Sequence, residues 1–351
     1  MVEIFTSRRF WVLLTVFGLI GFCAFSGLRI YSQFTEPYRG YVGEERFVDI
    51  TPGSDAVTIA RQLIAADIVR DRWVFRYAAW KTKSASRLQA GEYKFDSPMT
   101  AVQVLEKIMQ GRVHLRTITF PEGLTVAQMA EIFGASDFGT REEFYASVQN
   151  TELVVHFDKE ATDLEGYLFP DTYALPRNAT ADQLVSAMVA SFEQKFDDEL
   201  RRESQVRDFT LREVVTLASI IERETARADE RTVVSGVFTN RLELGMLLQS
   251  DPTVIYALQR AGLYKNNLTR ANLRFDSPYN TYLYAGLPPG PIASPGLGSL
   301  KAAVQPDDVQ YLYFVSRNDG SHVFATTLRE HNRNVREFQV RYFQQRRSSG
   351  K

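Results

Sequence analysis

The chain is short of the residues that hold metals and cross-links. Its 351 residues include one cysteine, Cys23, and four histidines, His114, His156, His322 and His331. One cysteine excludes an intrachain disulfide and any cysteine-based metal cluster. No histidine stands in an H-E-x-x-H arrangement or another ligand spacing, so no metal is expected. Excess charge is missing too: 41 Lys and Arg stand against 42 Asp and Glu, which gives no pointer to nucleic acid. There is no P-loop, no G-x-G-x-x-G and no G-x-S-x-G, and Ser219 falls mid-helix without an elbow. The glycine-rich "GPIASPGLGS" carries prolines that make it a rigid loop rather than a phosphate cradle. Nucleotide chemistry is not indicated, and no cofactor is expected. What is present is a balance of 44% hydrophobic and 24% charged residues, typical of a folded protein with room for two domains. Its 24 Phe and 16 Tyr suit a large core, and equally a cleft with flat apolar walls.

The N-terminus carries an uncharged run over residues 10–28, preceded by Arg8 and Arg9 and edged by Trp11. At about 1.5 Å per residue the run is long enough for one membrane span. The arginine pair favours leaving residues 1–9 in the cytoplasm and translocating the chain beyond the run. A cleaved signal peptide is the rival, but the run is long for an h-region and "FSG" lacks an A-x-A pattern. A buried core helix is the third reading. Residues 29–45, with Pro37 and two glycines, read as a polar tether.

Residues 46–113 alternate strand, turn and helix. "TPGSD" offers Ser54 or Asp55 as an N-cap, and Val57, Ala60, Leu63 and Ile64 come next at helical spacing. A second amphipathic helix is predicted over 71–81. The helix starts "GSDAVTIARQL", "SPMTAVQVLEKI" and "EGLTVAQMAEIF" resemble one another. This pattern has a weak likeness to the LysM module, a small glycan-binding unit; a plain α+β subdomain competes with it. Beyond lie a polar helical segment at 141–150, a long helix capped near Thr180 or Asp182, a helix over 211–228 and another ending at Gly245. "MLLQS" reads as a short strand, and "DPTVIYALQ" as a helix with Asp251 at its N-cap and Pro252 at its first position. "YLYFVS-RNDG-SHVFAT" reads as a β-hairpin, followed by an amphipathic helix from Leu328 and a basic tail. The fold class is α+β: a transmembrane helix, a small LysM-like subdomain and a larger mixed domain over 114–345.

"TLASIIERETARADER" holds two glutamates, Glu222 and Glu224, at the end of an apolar stripe formed by Val214, Leu217, Ala218 and Ile221. On a helical wheel they fall on opposite flanks, about 200° apart. The wheel does not choose between them, and a solvated face fits both. Glu224 could also pair with Arg227. A glutamate acting as a general acid must hold its proton near neutrality, which partial burial at the border of such a stripe could arrange.

"DLEGYLFPDTY", "LASIIERET", "VFTNRLELGMLLQSDPTVIYAL", "SPYNTYLYAGLPPGPIASPGLGSLKAAVQP" and "YLYFV…HVFATTLREHN" come in this order. Together they resemble the YceG-like family of endolytic murein transglycosylases, over most of 115–338. The resemblance implies a single-pass protein of the bacterial cytoplasmic membrane whose catalytic domain lies outside the cytoplasm. It implies cleavage of nascent peptidoglycan strands at the MurNAc–GlcNAc β-1,4 bond, with a 1,6-anhydro-MurNAc end, terminating strand elongation. Peptidoglycan synthases are then expected partners. In the family motif the catalytic glutamate is the second of the E-x-E pair, here Glu224. Tyr279, Asn280 and Tyr282 become candidate sugar contacts, rings for stacking and an amide for N-acetyl groups. Gln249 and Asp251 could orient a sugar hydroxyl or Glu224, with N-capping as the rival for Asp251. Glu165 and Asp171 could line the same cleft, with turn and capping roles as rivals. Glu222 is expected to make a structural contact. Two other functions stand beside this one: a membrane-tethered glycan-binding scaffold without activity, and a glycosidase using a second carboxylate such as Asp251 or Glu165 about 5–9.5 Å from Glu224.

Overall fold

A computed structural model describes residues 8–342 and 344; the rest of the expected cytoplasmic N-terminus and the basic tail lie outside the described residues. The protein is α+β and divides into two units. One runs up to Arg116 and includes Leu175–Asn178; the other comprises Thr117–Ala174 and the chain from Ala179 on.

The first unit begins with helix α1, Arg8–Thr35. From Trp11 to Thr35 it is long and apolar enough to cross a membrane. Trp11, Leu13, Phe17, Leu19, Phe22 and Leu28 are all more than half exposed. The helix overruns the expected end at residue 28 because nothing breaks it before Pro37, which disfavours helix at the residue preceding it. The remaining tether is not free chain. Tyr38 and Met99 exchange backbone hydrogen bonds of 2.9 and 3.2 Å, and buried Tyr41 donates its hydroxyl to the Phe95 carbonyl.

Strand β1 (Arg46–Ile50) pairs antiparallel with β2 (Gly91–Phe95). Helices α2 (Ala56–Ala65) and α3 (Arg72–Lys81) lie between them in sequence, and α4 (Ala101–Met109) comes after. Each helix starts where a side chain can take up an orphan N–H. Asp55 accepts from Thr58 N, Asp71 from Trp73 N, and Thr100 forms a capping box with Gln103. Ile59, Leu63, Phe75, Tyr93, Phe95, Val104, Leu105 and Ile108 form the core of this unit.

Strands β3 (Leu115–Thr119) and β4 (Thr172–Pro176) pair with each other. Helices α5 (Val126–Gly134), α6 (Arg141–Ser147), α7 (Ala181–Lys195) and α9 (Leu211–Glu224) each open on a Thr capping box, with α8 (Asp198–Val206) between the last two. Then come α10 (Arg231–Glu243), α11 (Asp251–Arg260), α12 (Leu297–Val304), the antiparallel strands β5 (Tyr313–Ser316) and β6 (His322–Ala325), and α13 (Leu328–Val335), which passes into a π-helical run, Arg336–Arg341. The hairpin turn uses positive φ at Asn318 (64°) and Gly320 (88°), as its Asn-Asp-Gly sequence predicts.

Helix α9 is the axis of the second unit. Val214 to Ile221 are buried without interruption, and the helix packs against α10 and α12. Ser219, fully buried, donates to the Thr216 carbonyl and accepts from Ile292 N.

Three local expectations are corrected. Helix α9 ends at Glu224 rather than Ala228, because Thr225 turns extended (φ −135°, ψ 129°). Arg227 therefore pairs with Asp229 rather than Glu224. Residues 246–250 form no strand: Gln249 takes φ +52° and donates its backbone N–H to the Thr281 carbonyl. Asp251 is not the N-cap; Ser250 holds that position and Asp251 is the first helical residue.

Gly166 occupies φ +85°, and a Cβ there would lie 2.4 Å from Pro291 Cβ. Gly166→Ala should combine backbone strain with overpacking and cost about 2 kcal/mol of stability, read as a lowered denaturant midpoint.

Candidate active site

The two glutamates that the wheel left tied meet different surroundings. The Glu222 side chain is 6% exposed. One of its oxygens, Oε2, accepts from Gly296 N at 3.1 Å and Ser299 Oγ at 2.7 Å; the other, Oε1, accepts from Arg231 at 3.4 Å. It ties α9 to α10 and α12. Glu224, partly buried at the helix end, opens into a cavity of about 480 Å³. Its one protein donor among the described residues is Ser250 Oγ, 2.5 Å from Oε1.

The cavity brings Glu224 together with Gln249, Asp251 and Tyr282 from separate parts of the chain. Tyr282 donates its hydroxyl to Asp251 Oδ1 at 2.6 Å. Burial and the Asp251 carboxylate keep the Tyr282 proton in place well above the usual phenol range. The opposite wall comes from β5, β6 and α13, including Tyr313, His322 and His331.

Arg241 braces these walls. Its guanidinium donates to the carbonyls of Leu312 (2.6 Å), Leu247 (3.1 Å) and Leu248 (2.8 Å) and stacks over the Tyr313 ring. A second brace is Glu230. It accepts from the backbone N of His322 at 3.0 Å, and its Oε2 lies 2.7 Å from His322 Nδ1. Thr225, next to Glu224, donates to the same carboxylate. Sequence reasoning missed Ser250, Arg241, Glu230 and His322 as parts of the site. Ser250 stands inside the string "LQSDPTVIYAL" and His322 inside "HVFATTLREHN", but only the fold shows what they face.

Burial pushes the Glu224 carboxyl up to about 7. The Ser250 hydrogen bond opposes the rise, Asp251 adds to it, and the charges of Arg241 and Arg223 oppose it. A glutamate so placed is partly protonated at neutrality and can both give and take a proton.

The other predicted residues lie elsewhere. Glu165 caps α5, accepting from Val126 N at 3.0 and 3.2 Å, and its Oε2 accepts from Tyr256 OH at 3.3 Å. It lines a second cavity, of about 440 Å³, with Asp163, Tyr145, Tyr256 and Arg260. Burial pushes its carboxyl up to about 8. Tyr279 packs on Tyr256 at 5.0 Å and under Arg260, and does not line the Glu224 cavity. Asp171 is exposed, and its carboxylate accepts from Thr172 N. The expectation for Asn280 is corrected. It is fully buried, its amide donates to the carbonyls of Leu273 and Phe275, and its oxygen accepts from Tyr282 N. Both amide hydrogens are spent bracing the loop that presents Tyr282.

An α+β unit with one desolvated glutamate at the end of its central helix, facing a polar and aromatic cavity, has the parts of an acid–base enzyme. The profile of the YceG-like family matches residues 48–337. The chain is 33% identical over 305 residues to the endolytic murein transglycosylase of Bacillus subtilis, covering 82% of each chain. It is 31% identical over 322 residues to the endolytic murein transglycosylase of Streptococcus pneumoniae, covering 83% of this chain and 58% of that one. The crystal structure of a YceG-like protein from Listeria monocytogenes superposes with a TM-score of 0.57 at 31% identity, covering 83% of this chain and 98% of that one. The protein belongs to the YceG-like family.

Two measurements check the electrostatics. In carboxyl-carbon NMR the Glu224 midpoint should fall near pH 7, and Ser250→Ala should raise it by removing the bond that favours the charged form. Between the unfolded value of about 4.3 and the folded value, the native state binds the extra proton, so stability falls as pH rises through that window. Glu224→Gln removes this loss. It should be about 3 kcal/mol more stable than wild type at pH 8 and lose that margin at pH 4, as read by thermal unfolding.

Proposed function

We propose that the protein is an endolytic lytic transglycosylase of peptidoglycan. It cleaves the MurNAc–GlcNAc β-1,4 bond inside a glycan strand, leaves a 1,6-anhydro-MurNAc end and so terminates strand elongation. The observation that carries this reading is the Glu224 carboxyl, pushed up to about 7 by burial, facing a cavity with one oxygen free of protein donors among the described residues.

The chemistry suits one carboxyl. Protonated Glu224 donates to the GlcNAc O4 as the C1–O4 bond breaks. The MurNAc O6 then bonds to C1, and its proton passes to the Glu224 carboxylate, which restores the starting state. The nucleophile is part of the substrate, so its effective concentration is high and no second carboxylate is needed to activate water. Positive charge at C1 is shared with the substrate's own N-acetyl group. Tyr282 and Asp251, joined by their hydrogen bond, offer a ring and an acceptor to the sugar, and Gln249 an amide. Glu165, Tyr279 and Asp171 stand as outer contacts for a longer strand; this role has the second cavity as its support for Glu165, and for Tyr279 its packing on Tyr256, which lines that cavity.

Helix α1 serves as a single-pass anchor in the bacterial cytoplasmic membrane, with the N-terminus in the cytoplasm and both units outside. Its unburied apolar length supports this. The β1–α2–α3–β2–α4 segment serves as a LysM-like glycan-binding module over 46–113, and peptidoglycan synthases are partners by proximity to the nascent strand.

Incubating the detergent-solubilised full chain with purified glycan strands tests the reading. Wild type should shorten the strands and yield anhydro-MurNAc ends by mass spectrometry. Glu224→Gln should lose on the order of 10³-fold in rate while remaining folded. Free reducing ends would make the protein a hydrolase, and binding without shortening would make it a scaffold. The rate should also fall as pH rises above about 7, because the acid must be protonated.

A further inference from the structure

Helix α3 has two apolar faces. Val74, Phe75, Ala78 and Ala79 are buried in the core of the first unit. On the other side stand Trp73 (59% exposed), Tyr77 (48%) and Trp80 (73%), spaced i, i+4, i+7 and therefore in one stripe. The outer face of a helix packed on a soluble core is normally charged or polar, and a contiguous aromatic stripe marks a contact surface. The stripe also holds two of the chain's three tryptophans.

Its place in the fold says what it meets. Phe34, in the last turn of α1, packs edge-on against Tyr77 with ring centroids 5.3 Å apart, and Tyr77 lies 5.8 Å from Trp80. The stripe therefore starts where the apolar helix ends. The uncharged run of α1 closes at Leu28, and Phe34 is about 9 Å further along the axis at 1.5 Å per residue. The headgroup layer on each side of a bilayer is about 5–8 Å thick. Phe34 and the Tyr77 ring packed on it thus stand at about the outer edge of that layer, where large aromatic side chains meet the headgroups. The cations agree: the guanidinium groups of Arg72 and Arg76 lie over the Trp73 ring at 5.3 and 5.0 Å. Trp, Tyr and Arg together are the composition of a membrane-interface belt.

We infer that α3 is a membrane-surface contact, with Trp73, Tyr77 and Trp80 seated among the headgroups of the bilayer that α1 crosses and with Arg72 and Arg76 facing lipid phosphates. This rests on the reading of α1 as a span. The first unit is then held by two points, a spanning helix and an interfacial one, and cannot swing freely on a flexible tether.

The three tryptophans allow a direct test in full-length protein reconstituted into phosphatidylcholine–phosphatidylglycerol vesicles. Trp11→Phe leaves Trp73 and Trp80 as reporters; the double variant Trp73→Phe, Trp80→Phe leaves Trp11 in α1. Emission from Trp73 and Trp80 should move to shorter wavelength and lose at least half its intensity to lipids brominated near the glycerol end of the acyl chain, with deep bromines less effective. Water-like, unquenched emission from this pair, with Trp11 quenched, would overturn the contact and leave the anchor standing. An unquenched Trp11 would overturn both. A response of the pair to soluble glycan fragments and not to lipid would overturn the contact and assign the face to glycan.

Discussion

Glu224 stands where a helix that is buried along most of its length meets open space. Eight consecutive buried residues, Val214 to Ile221, fix α9 in the core. Thr225 then leaves the helix in an extended conformation, so the last helical side chain comes out at the wall of a cavity instead of in bulk water. Two features of that position disfavour a carboxylate. The group is partly buried, and the C-terminal end of a helix carries partial negative charge. Against them stand one hydroxyl hydrogen bond from Ser250 and the charges of Arg241 and Arg223. The proton affinity of the group is the balance of these forces, and it falls near neutrality because neither side dominates.

Such a balance survives only if the neighbours cannot relax. Buried ionic groups that bind backbone supply the rigidity. Arg241 joins the loop at 247–248 to the start of β5 through three carbonyls. Glu230 joins the residue after Glu224 to the first residue of β6. Asn280 spends its amide on the loop that carries Tyr282, and Tyr282 in turn holds Asp251. The cavity is thus assembled from α9, α10, the start of α11, a loop and a hairpin, each tied by a polar side chain to another element's backbone or carboxylate.

Much of the fold was legible locally. Thr100, Thr125, Thr140, Thr180 and Thr210 each precede a Gln or Glu by three residues, and each opens a helix through a capping box. The hairpin turn followed from its Asn-Asp-Gly. What failed was governed from a distance. Residues 246–250 look like a strand, but Gln249 and Ser250 bond to Thr281, so the segment runs as an irregular loop. That pairing also sets where α11 begins, and it moves Asp251 from a cap to the cavity wall. The helical wheel could not rank Glu222 and Glu224, because the decisive facts, donors on α10 and α12 for one and a cavity for the other, are tertiary. Of the residues the ordered motif blocks pointed to, the fold gathers Glu224, Gln249, Asp251 and Tyr282 and places Glu165, Asp171, Tyr279 and Asn280 outside that cavity; Arg241 stands inside a block and Glu230 in none, and only tertiary contacts show what either braces.

A raised proton affinity does not by itself mark the working acid, since Glu165 is displaced further than Glu224. The difference lies in free hydrogen-bonding capacity. Both oxygens of Glu165 accept from Val126 N, and one also accepts from Tyr256, so its carboxyl is enclosed by protein donors and serves the start of α5. Glu224 has one oxygen bonded to Ser250 and the other without a protein partner among the described residues. An acid that must hand a proton to a substrate oxygen needs that unoccupied oxygen, room for a ring beside it and an affinity near the ambient pH. Glu224 meets all three conditions, whereas Glu165 fails the first.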